Sequence, residues 1–375
     1  MSPTSAPPSS SSSSASASRP QRVVFPNAHA CEDLKTPYAQ FRRHVLLFVL
    51  YFLWICGVGF FCLMTPYSAF AVLRTVVTVG AFPVPWPVQW YLLAMALYYS
   101  YHAVVYSKHK PQGVWLTARN FCRRSLVEYP YFRHCACIFD GREEESLKEP
   151  LKPMVPIKDK SLFAYHPHGV LSIGFAMNGV HAMRFRESDA RWLVAENLLW
   201  FPLLRDILRW LEFDDVSKRT FLHHMKQDRN VCVIPGGFEE ATLFQRGKHR
   251  VFIKKRFGFI KLALQHGYKV HPAYTFGEEE TFHSFHYFLK LRMKLNAWKV
   301  PGVVFFGRLL CFFMPLEDVE ITTVVGKPIA LPTIEHPTKE DVAKYHKIYI
   351  DALVDLFERY KHKYAVDPSV ELEVY

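Results

Sequence analysis

Twenty consecutive residues without a charge, VLLFVLYFLWICGVGFFCLM over 45–64, set the first limit on how this chain can fold. As a helix rising 1.5 Å per residue they would reach ~30 Å, the thickness of a bilayer's hydrocarbon core. A second run over 88–106, VQWYLLAMALYYSYHAVVY, is also uncharged and carries Trp and Tyr suited to membrane interfaces, together with Gln89 and His102. Between the two, 67–82 carries Arg74 and is closed by Pro83, Pro85 and Pro87. Sixteen residues make only ~24 Å of helix, so this piece is expected to be interfacial or re-entrant. Arg42, Arg43 and His44 precede the first run, and Lys108, Lys110, Arg119, Arg123 and Arg124 follow the second. The positive-inside rule then places both flanks in the cytosol and predicts a transmembrane helical hairpin within 41–108. The competing reading, two buried helices of a soluble domain, would be unusual for uncharged runs this long.

Ahead of the hairpin, residues 1–18 are almost wholly Ser, Ala and Pro, too polar and too poor in apolar surface to offset the entropy of ordering. A disordered cytosolic tail is expected over 1–40. It is not expected to be a cleavable signal, because no basic stretch followed by a short apolar core precedes residue 40. The formal charge of +12 suits an anionic partner, for which nucleic acid, an acidic membrane surface and a phosphate-bearing cofactor are the candidates. No nucleic-acid recognition module is present, and nucleic acid is set aside. Eight cysteines are scattered without a Cys-x-x-Cys pair, the pattern of reduced thiols in a cytosol-facing protein.

Beyond residue 108 the pattern changes to that of an α/β domain, expected over 109–375. Short apolar runs at 161–165, 231–234, 270–276 and 321–325 have strand length and composition. Phe259, Leu262 and Ala263 share one face of a helix that stops at Gly267. A longer amphipathic helix over 341–360 carries Val342, Tyr345, Tyr349, Leu353 and Phe357 at three- and four-residue steps. Strands alternating with helices predict a mixed, mainly parallel sheet flanked by helices.

Three clusters could carry chemistry. Tyr165-His166-Pro167-His168-Gly169 follows a predicted strand, where two imidazoles and a glycine suit proton transfer near neutral pH. Histidines bonded to backbone at a turn are the structural alternative. A metal site is not expected, since Pro167 bends the chain and no spaced third ligand stands out. In Val233-Ile234-Pro235-Gly236-Gly237-Phe238-Glu239-Glu240 a strand runs into a glycine turn, whose exposed N–H groups could hold an oxyanion or a phosphate and whose carboxylates could orient an imidazole. Its bland reading is a turn with solvated acids. Arg246, Lys248, Arg250, Lys254, Lys255, Arg256 and Lys261 form a dense basic run able to meet phosphates or headgroups, although such runs are more often solvated faces.

Taken together these clusters resemble the type 2 diacylglycerol acyltransferase family, which includes monoacylglycerol acyltransferases and wax synthases. His166-Pro167-His168-Gly169 matches its His-Pro-His-Gly block, and Pro235-Gly236-Gly237 through Glu240 its Pro-Gly-Gly-x-x-Glu block. Arg256-Phe-Gly-Phe-Ile-Lys-Leu-Ala-Leu-Gln-His-Gly267, closed by Phe276-Gly277-Glu278, matches its Arg-x-Gly-Phe segment. Ile321-Thr-Thr-Val-Val-Gly-Lys-Pro328 and Glu335-His336-Pro337-Thr338 look like its C-terminal signature, and the upstream hairpin is also a family feature.

The resemblance implies a glycerolipid-acyltransferase-like fold and transfer of a fatty acyl group from acyl-CoA to 1,2-diacylglycerol, forming triacylglycerol. A monoacylglycerol or a long-chain alcohol is the alternative acceptor, and a non-catalytic lipid-droplet scaffold the remoter reading. It implies His168 as base, because plant relatives carry Glu-Pro-His-Ser, with His166 as helper. Glycerol-phosphate acyltransferases pair their His with an Asp five residues on, but here those positions are Leu171 and Ile173. The acid is therefore expected at Glu240, with Glu239 adjacent. Gly169, Gly236, Gly237, Glu239, Arg256, Gly258, Phe259 and Lys261 are the expected substrate-binding set, with backbone donors near Gly236 and Gly237 for the oxyanion and Arg256 for the CoA phosphates. No metal or redox cofactor is implied, since acyl-CoA is a co-substrate. Membrane lipid is the implied partner, a homo-oligomer stays open, and the implied location is the endoplasmic reticulum membrane, multi-pass, or the lipid-droplet surface. Two departures, His271 ahead of Pro272 and Tyr129-Pro130-Tyr131-Phe132 in place of the Tyr-Phe-Pro block, bear on acyl preference and substrate entrance rather than on the reaction.

Overall fold

The computed structural model describes residues 36–106, 115–126, 132, 134–149, 151–298, 302–316 and 319–375. Most of the expected N-terminal tail, Lys108 and Lys110, and Tyr129, Pro130 and Tyr131 lie outside the described residues.

The described residues open with one long helical rod, Pro37–Phe52 and Val58–Val77 joined by a π turn at Leu53–Gly57. Pro66 lies inside it without ending it. The expectation of a separate interfacial piece over 67–82 is thus overturned: a proline removes only one backbone donor, and in this apolar run the helix carries on through Arg74. Among the described residues one helix is long and apolar enough to cross a membrane, Ile55–Val77, with a mean hydropathy of 1.7. That shifts the expected first span toward the C-terminus.

After a turn with Val79 and Gly80 at positive φ, the helix Trp86–Tyr101 runs back beside the rod, and the Thr65 and Tyr91 hydroxyls meet at 2.7 Å. It continues as a π turn through His102–Tyr106, but it is not among the described helices that are both long and apolar enough to cross a membrane. Its far end is committed elsewhere: the Tyr98 hydroxyl donates to Asp206 at 2.6 Å, and His102 Nε2 lies 3.4 Å from the same carboxylate. Those polar side chains dock the helix onto the α/β domain. The expected flank cations Arg119 and Arg123 are likewise buried, both against Glu212.

The domain is built on a seven-stranded sheet. In chain order the strands are β1 (His134–Phe139), β2 (Ser161–His166), β3 (Arg191–Val194), β4 (Phe213–Asp215), β5 (Val231–Val233), β6 (His249–Val251), β7 (Lys269–Phe276), β8 (His283–Phe285), β9 (Val304–Phe306), β10 (Glu320–Val325) and β11 (Leu372–Val374). The sheet order is β1-β10-β7-β2-β5-β3-β4, parallel throughout except where β10 meets β7. The remaining strands form two small pairs, β6 with β11 and β8 with β9. This is the expected mixed, mainly parallel arrangement.

The two-residue period of β2 divides its side chains between two cores. Phe163 and Tyr165 pack with Trp192, Cys232 and Ile321 on one face. Leu162 and Ala164 pack with Val231, Val270 and Phe357 on the other, under the helices Gly258–His266 and Lys339–Tyr364. Both helices follow their sequence signals. Gly267 ends the first in the left-handed conformation, and Thr338 with Asp341 forms a capping box at the start of the second. His271 is a core residue, stacked on Phe163 and bonded through Nδ1 to the Gly326 carbonyl at 3.0 Å. The seven described cysteines are free thiols.

Candidate active site

Strands β7, β2 and β5 are neighbours and run parallel, so the loops leaving their C-terminal ends emerge together at one edge of the sheet. Those loops begin with His166-Pro167-His168-Gly169, with Pro235-Gly236-Gly237 and with Gly277-Glu278. Topology therefore brings together three segments forty or more residues apart in sequence.

His166, even-numbered like Leu162 and Ala164, faces the second core and is fully buried. Its Nδ1 lies 3.1 and 3.2 Å from the two oxygens of Glu240, and its Nε2 lies 3.0 Å from the Tyr349 hydroxyl. A carboxylate only accepts, so Nδ1 carries the proton and Nε2 accepts from Tyr349. Both ring nitrogens are thereby occupied, and His166 is a pillar rather than a base.

His168 is half-buried. Its Nδ1 lies 3.0 Å from the Gly169 carbonyl, which can only accept, so the proton is on Nδ1 and Nε2 carries the lone pair. The Ser172 hydroxyl sits 3.3 and 3.5 Å from the two nitrogens. Burial disfavours the imidazolium and holds its pKa below the ordinary 6.5, against the Gly169 carbonyl and the Glu240 charge that pull the other way. A neutral ring with its lone pair on Nε2 is what a general base requires.

Glu240 does not touch the ring of His168, as had been expected of the acid. Its Oε1 accepts from the His168 backbone N–H at 2.6 Å, and its Oε2 from the Phe252 N–H at 2.8 Å. The buried carboxylate thus ties the His168 loop to β6 and orients His166. Gly236 packs so closely on it that a methyl there would overlap the carboxylate. Gly237 has φ +56, and its N–H donates to the Ile234 carbonyl at 3.2 Å. That donor is used within the turn, so the expected oxyanion role for Gly237 is withdrawn.

At the rim Arg256 is ion-paired with Glu239, donates to the Gly236 carbonyl at 3.3 Å and lies over the Phe252 ring. Both partners are partly open to solvent. The rest of the expected binding set stands apart. Phe259 is buried against Tyr349, Lys261 points outward and Gly258 opens their helix with empty space beside it. Arg246 and Arg250 pair with Glu280 and Glu373, leaving Lys248, Lys254, Lys255 and Lys261 as exposed cations of the run.

Two site residues escaped sequence reasoning. Tyr349 was read only as part of an apolar stripe. Glu278 was read only as the end of a motif, yet it is fully buried beneath Gly169 and accepts from the N–H groups of Ile173 and Gly174 at 3.0 and 2.7 Å. Burial pushes its carboxyl up to about 8, with those two N–H groups opposing the shift. Gly169 has φ +61, and an added methyl would overlap the Glu278 carboxylate. Gly169→Ala is accordingly expected to cost on the order of 2–5 kcal/mol and most of the activity, measurable by thermal unfolding and turnover of the same preparation. Wild-type values for both would contradict the placement.

A sequence profile of the Diacylglycerol acyltransferase family matches residues 147–375, which contain every group just described. The chain belongs to the diacylglycerol acyltransferase family. The mouse diacylglycerol O-acyltransferase 2-like protein 6 is 35% identical over 240 residues, 58% of this chain and 71% of that protein. Diacylglycerol O-acyltransferase 2 of Dictyostelium discoideum is 32% identical over 234 residues, again 58% and 71%. The mouse acyl-CoA wax alcohol acyltransferase 2 is 34% identical over 253 residues, 60% and 74%. Among solved structures the 1-acyl-sn-glycerophosphate (LPA) acyltransferase of Thermotoga maritima overlaps at a TM-score of 0.37 and 14% identity, covering 85% of this chain and 97% of that one, too loose a likeness to transfer detail. In this acyltransferase the sheet edge that carries His168 also carries a cavity of about 430 Å³ past the ends of β3 and β4, where Trp200, Arg205 and Asp215 meet Tyr99 of the helix Trp86–Tyr101.

Proposed function

We propose that this enzyme transfers a fatty acyl group from acyl-CoA to the free hydroxyl of 1,2-diacylglycerol, giving triacylglycerol and CoA, with His168 as the base. The observation that carries the reading is the lone pair on Nε2 of a neutral His168 at the loop edge of the sheet, with the Ser172 hydroxyl at 3.5 Å. Nε2 takes the hydroxyl proton as the alcohol oxygen attacks the thioester carbonyl. The tetrahedral intermediate then collapses with cleavage of the C–S bond, and the imidazolium returns the proton to the departing thiolate. Electrons and atoms balance without a redox cofactor. Glu240, His166, Tyr349 and Glu278 position the loop and touch no substrate. Arg256 and the exposed lysines beside it are the proposed receivers of CoA phosphates, Arg256 by exchanging its partner Glu239.

The membrane assignment rests on Ile55–Val77, along which Phe60, Leu63, Phe70, Leu73 and Val76 face outward. An endoplasmic reticulum or lipid-droplet location, with the α/β domain on the cytosolic side, is part of the same proposal. Similarity to a wax alcohol acyltransferase supports a second acceptor class, long-chain alcohols. Purified protein given labelled oleoyl-CoA with diacylglycerol, monoacylglycerol or hexadecanol in turn should label triacylglycerol most rapidly. Faster ester formation with the alcohol would reassign the acceptor, and CoA release without any ester would reject acyl transfer.

A further inference from the structure

Between residues 281 and 316 the sequence holds five cations, Lys290, Arg292, Lys294, Lys299 and Arg308, and no Asp or Glu. In the structure the same segment forms β8, the helix Leu289–Leu295, β9 and a tip at 307–312, and it exposes apolar side chains to a degree found nowhere else among the described residues of the α/β domain. Eleven large hydrophobics between 285 and 312 are exposed, among them Phe288, Leu291, Trp298 and Phe312, with Leu309 at 99% and Leu310 at 94%. Lys290 and Lys294, one helical turn apart, are exposed among them. Aromatic and aliphatic side chains interleaved with cations, with no carboxylate to repel, match the surface of an anionic bilayer.

We infer that this apron is a second membrane-docking surface, inserted into the headgroup region of an anionic lipid leaflet. The inference rests on the membrane reading above and goes beyond it, since it concerns the α/β domain itself. Continuity with the rod supports lipid as the occupant: Phe313, at the base of the tip, packs on Phe48 and Phe52 of the helix Pro37–Phe52. The apron is also fixed to the catalytic loops. Arg292 is buried and donates to the carbonyls of Thr242 and Gly302 at 3.1 and 3.0 Å, and Thr242 lies two residues past Glu240. Phe282, Val303 and Phe305 pack on Val170 and Leu171, directly after the His168 loop. A bilayer held by the apron is therefore held at a set distance from the His168 imidazole, which lets a water-insoluble glyceride reach it without leaving lipid.

The test uses the full chain in vesicles of phosphatidylcholine with phosphatidylserine, with Leu310 or, separately, Phe70 replaced by an environment-sensitive fluorescent amino acid. At position 310 emission should shift to the blue and lose at least about half its intensity to nitroxide placed high on the acyl chains. At position 70 the quencher should be nitroxide placed deep. Lys290→Glu with Lys294→Glu should weaken the response at 310 and leave that at 70 unchanged. Water-like emission at 310 with quenching at 70 would overturn the apron and leave the anchor standing, whereas no quenching at either would overturn the membrane reading itself. A blue shift at 310 that ignores nitroxide lipid and grows with protein concentration would assign the face to a second copy of the chain and overturn the proposal.

Discussion

His168→Ala should lower acyl transfer by roughly 10²–10⁴-fold while leaving the protein folded and in the membrane. The side chain is half-buried, and its ring bonds are local, to the Gly169 carbonyl and the Ser172 hydroxyl. Little of the fold depends on them. His166→Ala should behave differently, because that ring bridges Glu240 and Tyr349 inside the core. Removing it leaves a buried carboxylate and a buried phenol short of a partner each, so stability and activity should fall together. The two histidines of one motif are thus separable by measurement: a loss of turnover at an unchanged melting midpoint marks His168, and a lowered midpoint marks His166. The reverse pattern would exchange their roles.

Glu240→Ala is expected to be the most damaging single change to the fold at this site. It strands three donors in the interior, the backbone N–H groups of His168 and Phe252 and the Nδ1–H of His166. At ~1–3 kcal/mol for each unsatisfied group, the midpoint should drop by roughly 5–10 °C or more. Glu240→Gln should not rescue it fully. Oε1 faces the N–H of His168 and Oε2 that of Phe252, so either orientation of an amide turns its NH₂ toward a backbone N–H. A Glu240→Gln protein with wild-type midpoint and turnover would show that the carboxylate holds nothing together.

Much of this architecture was legible because it is written in local apolar patterns. The runs at 161–165, 231–234, 270–276 and 321–325 fall on β2, β5, β7 and β10, the strands that carry or flank the site. The motif residues His166, His168, Gly169, Gly236 and Glu240 do converge. Partner choice was not legible, because it depends on register. His166 takes the carboxylate expected of His168 because the alternation of β2 turns it toward Glu240 and Tyr349, whereas His168 lies past the strand end. Glu278 reaches Gly169 only because β7 extends two residues beyond its pairing with His166 at Tyr274. In the N-terminal region Arg74 and the prolines that close 67–82 suggested a separate piece that the continuous helix does not make, and Tyr98 and His102 gave no local sign that Asp206 would claim them.

The role of the His168 imidazole is tested most directly by kcat/KM against pH for the wild type and for His168→Ala. Burial disfavours the charged ring, so the neutral, proton-accepting form should persist to below pH 6.5. Wild-type activity should therefore fall on the acid side through a single ionisation below that value and be level at neutral pH, and the residual activity of His168→Ala should lack that limb. A wild-type profile without an acid limb, or the same limb retained in the variant, would contradict the assignment.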